Sequence, residues 1–241
     1  VSVVTKADFA VRSGAELAGR TKTSVRLEFV PLRVRRGRLE IQVRPGDAGW
    51  RLWSFAPRAD QVLNREAARL AENELGLPGN SVQLGAFGTP NSGLTAVFIH
   101  LVRPFEGKNP RPELTLRSSW KDIRGVQLAP EARLVVAHAR ARVEHDVEHG
   151  STGFLLVGDE FTVTELRHVH EAARGLELDP SNFRKRVARW VDEGVVKDLD
   201  RMRPTATRPA RLYSINSEIV ESPSPGEAMT LKAFAFSGNK P

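Results

Sequence analysis

The sequence predicts a mixed α/β (α+β) domain followed by a small domain of two helices and a charged hairpin. Three observations predict it. Apolar residues alternate with polar ones on both sides of a turn near Gly37, the period of a two-stranded ribbon. Between Phe161 and Asn216 the pattern changes to helix, turn, basic helix and a second hairpin. Between the two regions stands Gly150-Ser151-Thr152-Gly153, a breaker cluster suited to a domain boundary. With 241 residues the chain is long enough for two ordinary domains. Its 40% hydrophobic and 27% charged content is that of a globular protein rather than a disordered one.

The elements follow in order. Residues 1–19 are polar and weakly patterned and read as a lead-in. Val25, Leu27 and Phe29, then Leu32 and Val34, form a first strand. Leu39, Ile41 and Val43 form its partner across Arg35-Arg36-Gly37. Trp50, Leu52, Trp53 and Phe55 make a further apolar run after the break at Pro45-Gly46-Asp47. Residues 60–74 read as a helix capped by Asp60, with Leu63, Ala67, Leu70, Ala71 and Leu77 on one face and Gly76 at its end. Strands are expected at 82–87 and 94–102 and near 114–116, with a loop between Pro104 and Pro112 and irregular chain over 120–126. Pro130 opens a long helix to about Glu148, carrying Leu134, Val135, Ala137, Ala141 and Val147. Residues 217–241, rich in Ser, Pro and Gly, read as a flexible tail.

The formal net charge is +7 and the pI is about 10.2, a balance that favours a polyanionic partner. Cysteine is absent, which excludes disulfides, thiolate metal sites and a cysteine nucleophile. No apolar run is long enough to span a bilayer, and the first residues lack a secretory core. No membrane association and a cytoplasmic address are therefore expected.

The carboxy-terminal region carries the sharpest signal. Thr162 or Thr164 suits a helix cap, Leu166, Val169 and Ala173 lie on one face, and Gly175 closes the helix. Asp179 and Pro180 then start a second helix. In it Phe183, Val187 and Trp190 or Val191 hold the core side, while Arg184, Lys185, Arg186 and Arg189 occupy the rest. A recognition helix needs this division, and its first residues reach base edges, so Ser181 and Asn182 join the candidates. Two strands follow, enclosing RMRPTATRPAR. Arg201, Arg203, Thr207, Arg208 and Arg211 there suit phosphates or the minor groove. The whole reads as a winged helix-turn-helix, residues 151–216, whose expected partner is double-stranded DNA; the alternative is a winged helix that docks proteins.

The segment FTVTELRHVHEAARGLELDPSNFRKRV…RPARLY resembles the carboxy-terminal domain of NrtR-type, Nudix-related transcriptional regulators. The matching residues are Phe161, Thr162, Glu165, Leu166, Asn182, Phe183, Arg184, Arg208, Pro209, Ala210, Leu212 and Tyr213. The resemblance implies a Nudix-like fold over 20–150, acting as an effector and dimerisation domain. It also implies a repressor, a homodimer on a palindromic operator, and a small nucleotide effector such as ADP-ribose or another NAD-related metabolite. No cofactor is required by this reading.

Nudix hydrolases hold Mg²⁺ on the glutamates of Arg-Glu-x-x-Glu-Glu-x-Gly. Aligned on Gly76, the arginine is Arg69 and the glutamate positions read Leu70, Asn73 and Glu74. A frame on Arg65-Glu66 puts Arg69 and Leu70 at the other two positions and misplaces the glycine. Leucine cannot ligate a metal, so the sequence predicts neither a catalytic residue nor a metal ligand set, and a protein that is not an enzyme. The competing reading is a Nudix-type hydrolase of a nucleoside diphosphate derivative with an accessory basic winged-helix domain. Candidate ligand contacts are Arg44, Arg51 and Arg58 for phosphates, Trp53 and Phe55 for an adenine, and Glu74.

His145 and His149 have zinc-compatible spacing, but Glu144, Asp146 and Glu148 make a solvated helix face the expected reading. His168 and His170 are two apart and do not share a helical face. His100, within a strand, is expected to be packed.

Overall fold

The computed structural model describes residues 24–58, 61–89, 93–104, 118–205 and 208–216. The lead-in, Asp60, the strand expected near 114–116, Thr207 and the tail lie outside the described residues.

Strand β1 (Val25–Arg35) and β2 (Arg38–Val43) form the predicted hairpin, with Leu32 opposite Ile41 and Arg35 opposite Arg38. Arg36 and Gly37 both adopt positive φ, at 49° and 71°. That is the twist-matched two-residue turn of tight hairpins. The amino-terminal half of β1 pairs instead with β3 (Trp53–Phe55), and its other edge runs parallel to β5 (Gly93–Val102). β4 (Gly79–Thr89) is antiparallel to β5, and β6 (Ser119–Asp122) adds to the free edge of β2. The order is β4-β5-β1-β2-β6, with β3 on β1. β6 corrects the expectation of irregular chain there. Its four residues, SWKD, lack apolar alternation, and the ladder with β2 rather than local pattern makes the strand.

Each sheet face carries one long helix. Helix α1 (Leu63–Leu70) runs on into a π-helical turn (Ala71–Leu75) that ends at Gly76, φ 61°. It covers Leu27, Phe29, Trp53 and Phe98 with Ala67, Leu70, Ala71 and Leu75. The helix is shorter than predicted, and Val62 precedes it without a side-chain cap. On the opposite face lies α2 (Pro130–His149), packed on Val30, Leu32, Leu39, Ile41 and Val43. Its buried residues are Ala132, Val135, Val136, Ala139, Val143 and Val147. Leu134 is 59% exposed.

The glycine-bearing segment after α2 is not a loose boundary. Thr152–Val157 forms a short helix, α3, with all six residues buried. A helix buried all round has no amphipathic period, so its sequence does not announce it. The remaining elements are β7 (Glu160–Phe161), α4 (Val163–Arg174), α5 (Pro180–Asp192), β8 (Val196–Arg203) and β9 (Ala210–Ile215). The second sheet has the order β7-β9-β8.

One apolar cluster joins the two halves. It runs from Val30 and Leu39 through Val136 and Val147 to Phe154, Leu166, Phe183 and Trp190. Polar contacts reinforce it. Arg124 donates to the carbonyls of Ala172 and Ala173 at 3.0 and 3.3 Å, satisfying two acceptors that the end of α4 leaves without helical partners. Arg103 pairs with Asp159 at 2.9 Å.

Candidate nucleic-acid interface

Two caps set the helix pair. The Thr162 hydroxyl accepts from the Glu165 amide at 3.2 Å, and the Glu165 carboxylate accepts from the Thr162 amide at 2.7 Å. This capping box fixes the start of α4. Gly175, φ 72°, ends it in the left-handed conformation. Asp179 then accepts from the Asn182 amide at 2.7 Å, with Pro180 at the first position of α5.

Helix α5 is divided as its sequence implies. Phe183, Val187 and Trp190 are buried, whereas Val191 is half-buried. Ser181, Asn182, Arg184, Lys185 and Arg189 are exposed. Ser181, Lys185 and Arg189 succeed one another at intervals of four along a single stripe. The result is one cationic, hydrogen-bonding surface backed by an aromatic anchor.

Arg186 is a correction. Its guanidinium donates to the Glu148 carbonyl at 2.6 Å and lies 4.8 Å from the centre of the Trp190 ring. It faces the end of α2 instead of the exposed surface. Helix geometry accounts for this, because position 186 lies only about 40–50° around the helix from Trp190.

The wing also differs from the sequence picture. β8 continues through Arg203, so Arg201 and Arg203 sit on a strand and not in a loop. The wing arginines have acidic partners from outside the expected loop. Arg201 pairs with Glu160, Arg203 with Glu165 at 2.8 Å, and Arg211 with Asp198 and Asp200 at 2.8 and 3.1 Å. Such exposed pairs are worth only about 0–1 kcal/mol, so phosphates can compete for these cations. At the tip, the Thr205 hydroxyl donates to the Arg208 carbonyl at 2.6 Å, and the Arg208 side chain is exposed.

Residues 153–215 match the family model described as the NrtR DNA-binding winged helix domain. The "ADPR responsive transcriptional repressor NtrR" of Acinetobacter baylyi is 30% identical over 88 residues, 36% of this chain and 34% of the relative. The match thus spans about a third of that relative's length. Shewanella oneidensis NrtR, solved in complex with a 27mer DNA, superposes with a TM-score of 0.66 at 20% identity. The match covers 80% of this chain and 93% of that one. A MutT/nudix family protein from Enterococcus faecalis gives 0.62 at 18% identity, covering 82% and 89%. The chain therefore has an α/β domain of Nudix-like fold joined to a winged helix that matches the NrtR model.

The amino-terminal candidates do not form one group. Leu70 is buried in the core under α1, while Asn73 and Glu74 are exposed. The buried carboxylate of α1 is Glu66. It accepts from Arg69 at 2.8 and 2.9 Å and from the Arg58 amide at 3.2 Å. The Arg69 hydrogen bonds hold its pKa down at about 2. A carboxylate clamped in this way, beside a leucine, does not fit a magnesium cage. Arg44 lies with its guanidinium 4.8 Å from the Trp53 ring centre, and Trp53 stacks on Phe55 at 6.2 Å. Trp53 is buried and Phe55 half-buried. Arg51 is exposed and 3.5 Å from Glu131. Arg58 is exposed.

Among the histidines, His145 and His149 lie on α2 with ring centres 4.8 Å apart. His100 is buried between Ser81 and Leu77. The Leu77 carbonyl, 3.0 Å from Nε2, requires a proton there, so Nδ1 accepts from the Ser81 hydroxyl at 2.9 Å.

Proposed function

We propose that this protein is a transcriptional regulator, of repressor type, that binds double-stranded DNA through α5 and the wing. Its Nudix-like domain senses a small nucleotide of the ADP-ribose kind. The observation that carries the reading is α5 itself, with Ser181, Asn182, Arg184, Lys185 and Arg189 exposed over a buried Phe183–Val187–Trp190 seam. Arginine and lysine on a helix of this build read guanine edges and neutralise phosphates. The likeness to the ADPR responsive transcriptional repressor of Acinetobacter and to the Shewanella protein solved with DNA supports it. A homodimer on a palindromic operator follows from the two-fold logic of such readers, and the place of action is the cytoplasm.

We do not read the protein as a hydrolase, because Leu70 fills core volume where a metal-binding carboxylate would be needed.

The test is selection of bound genomic fragments by the full chain, followed by binding with Arg184→Glu and Lys185→Glu. Each reversal is expected to weaken binding at least tenfold and to flatten its salt dependence. Unchanged affinity in both variants would remove α5 from the interface. Metal-dependent cleavage of ADP-ribose, lost on Glu74→Gln, would restore the hydrolase reading.

A further inference from the structure

Four described residues bury a side-chain polar atom that has no hydrogen-bond partner: Gln42 Oε1, Arg44 Nε, Trp53 Nε1 and His170 Nδ1. Three of these four lie together on the α1 side of the first sheet. Ile41 and Val43 point into the cluster under α2, so strand alternation turns Gln42 and Arg44 to the opposite face. Trp53 belongs to the α1-side cluster, and Trp120, directly opposite Gln42 in the β2–β6 ladder, packs against it. Gln42 is 2% exposed and Trp53 5%. Unpaired polar atoms at this depth are costly to the free protein, and their concentration on one face calls for an explanation.

The charges there are also incomplete. Arg33, stacked 4.0 Å from the Trp120 ring centre, is neutralised by Glu40 at 2.8 Å. Arg44 makes no ion pair among the described residues, and its backbone is laddered to that of Arg51, a second cation. Burial first, and Arg51 second, hold its pKa below the usual arginine value. The face therefore offers two buried N–H donors, an uncompensated positive charge and one buried acceptor.

We infer that Gln42, Arg44 and Trp53 bind the phosphoribosyl part of the effector: Arg44 and Trp53 donate to phosphate oxygens, and Gln42 accepts from a ribose hydroxyl. An anion whose phosphate accepts from Arg44 and Trp53 and whose hydroxyl donates to Gln42 satisfies all three orphan atoms at once. The inference rests on the reading of the Nudix-like domain as a nucleotide sensor.

The experiment is calorimetric titration of the full chain with ADP-ribose and with ribose 5-phosphate, alongside thermal melting of the free protein. The variants are Gln42→Leu, Arg44→Gln and Trp53→Phe; the last keeps the ring bulk and removes the indole N–H. Each is expected to weaken both ligands about tenfold or more. Gln42→Leu is also expected to keep or raise the melting temperature of the free protein, because it deletes an unpaired buried acceptor. ADP-ribose binding undiminished in all three variants overturns this site and leaves the nucleotide sensor standing. Failure of the wild type to bind either compound overturns both.

Discussion

Arg186, on the helix that presents the exposed cationic stripe, donates to the backbone carbonyl of Glu148 at the end of α2. Arg174 reaches the Glu148 side chain at 3.3 Å, so one residue of the Nudix-like domain is held by two arginines of the winged helix. A carbonyl at a helix end lacks an intrahelical donor and carries the negative end of the helix dipole. Arg186→Gln is expected to lose about 1–3 kcal/mol of stability and to reduce the effect of ADP-ribose on operator binding. Arg186→Lys should rescue only in part, because an ammonium cannot stack its plane on Trp190. Denaturant melts and operator titrations with and without effector check this. Full retention of both quantities in Arg186→Gln would remove the contact from the coupling.

Two buried histidines set the stability between neutral and mildly acid pH. Burial pulls His100 down to about 4. Burial, then Arg186 and Arg174, pull His170 down to about 3. The unfolded chain titrates near 6.5, so below that value it binds protons that the native state refuses. Stability should therefore fall as pH drops from about 6.5 toward 4. The limiting slope is about 1.4 kcal/mol per pH unit for each histidine. His170→Leu should make the melting temperature less dependent on pH over this range; an unchanged slope would contradict the assignment.

Glu66 works at more acid pH. Its carboxylate is held at about 2 by the Arg69 hydrogen bonds, against an ordinary value of 4.5. Its contribution is present in full above the unfolded value and is lost as pH falls from about 4.5 through about 2. Glu66→Gln is expected to lower the melting temperature at pH 7 and to lessen its acid-side decline. A variant that melts like the wild type at pH 7 would show the Arg69 clamp to be neutral.

The start of α5 hangs on Asp179. Asp179→Ala should cost about 0.5–2 kcal/mol and fray the turn that carries Ser181 and Asn182, weakening operator binding more than the stability loss explains. Asp179→Asn should restore both. Equal loss in Ala and Asn variants would point to charge rather than to the cap.

The winged helix was legible because its signals are local. A threonine cap at 162 or 164, Asp179 with Pro180, and Gly175 each mark a helix end through local chemistry, and the structure uses Thr162, Asp179 and Gly175. The β1–β2 hairpin was legible for the same reason. What escaped depends on distant partners. β6 exists through β2, and α3 through burial on every side. The acids that hold Arg201, Arg203 and Arg211 come in part from β7 and α4. The buried, unpaired amide of Gln42 was invisible too, since a glutamine between two core positions of a strand reads as a solvated face.

The continuous cluster from Val30 to Trp190 leaves the two domains without a pivot. A message from one end to the other must therefore travel as small displacements of interlocked side chains, with no swinging of one body past another. Such conduction runs both ways. If nucleotide loosens the grip on the operator by some factor, the operator must loosen the grip on nucleotide by the same factor.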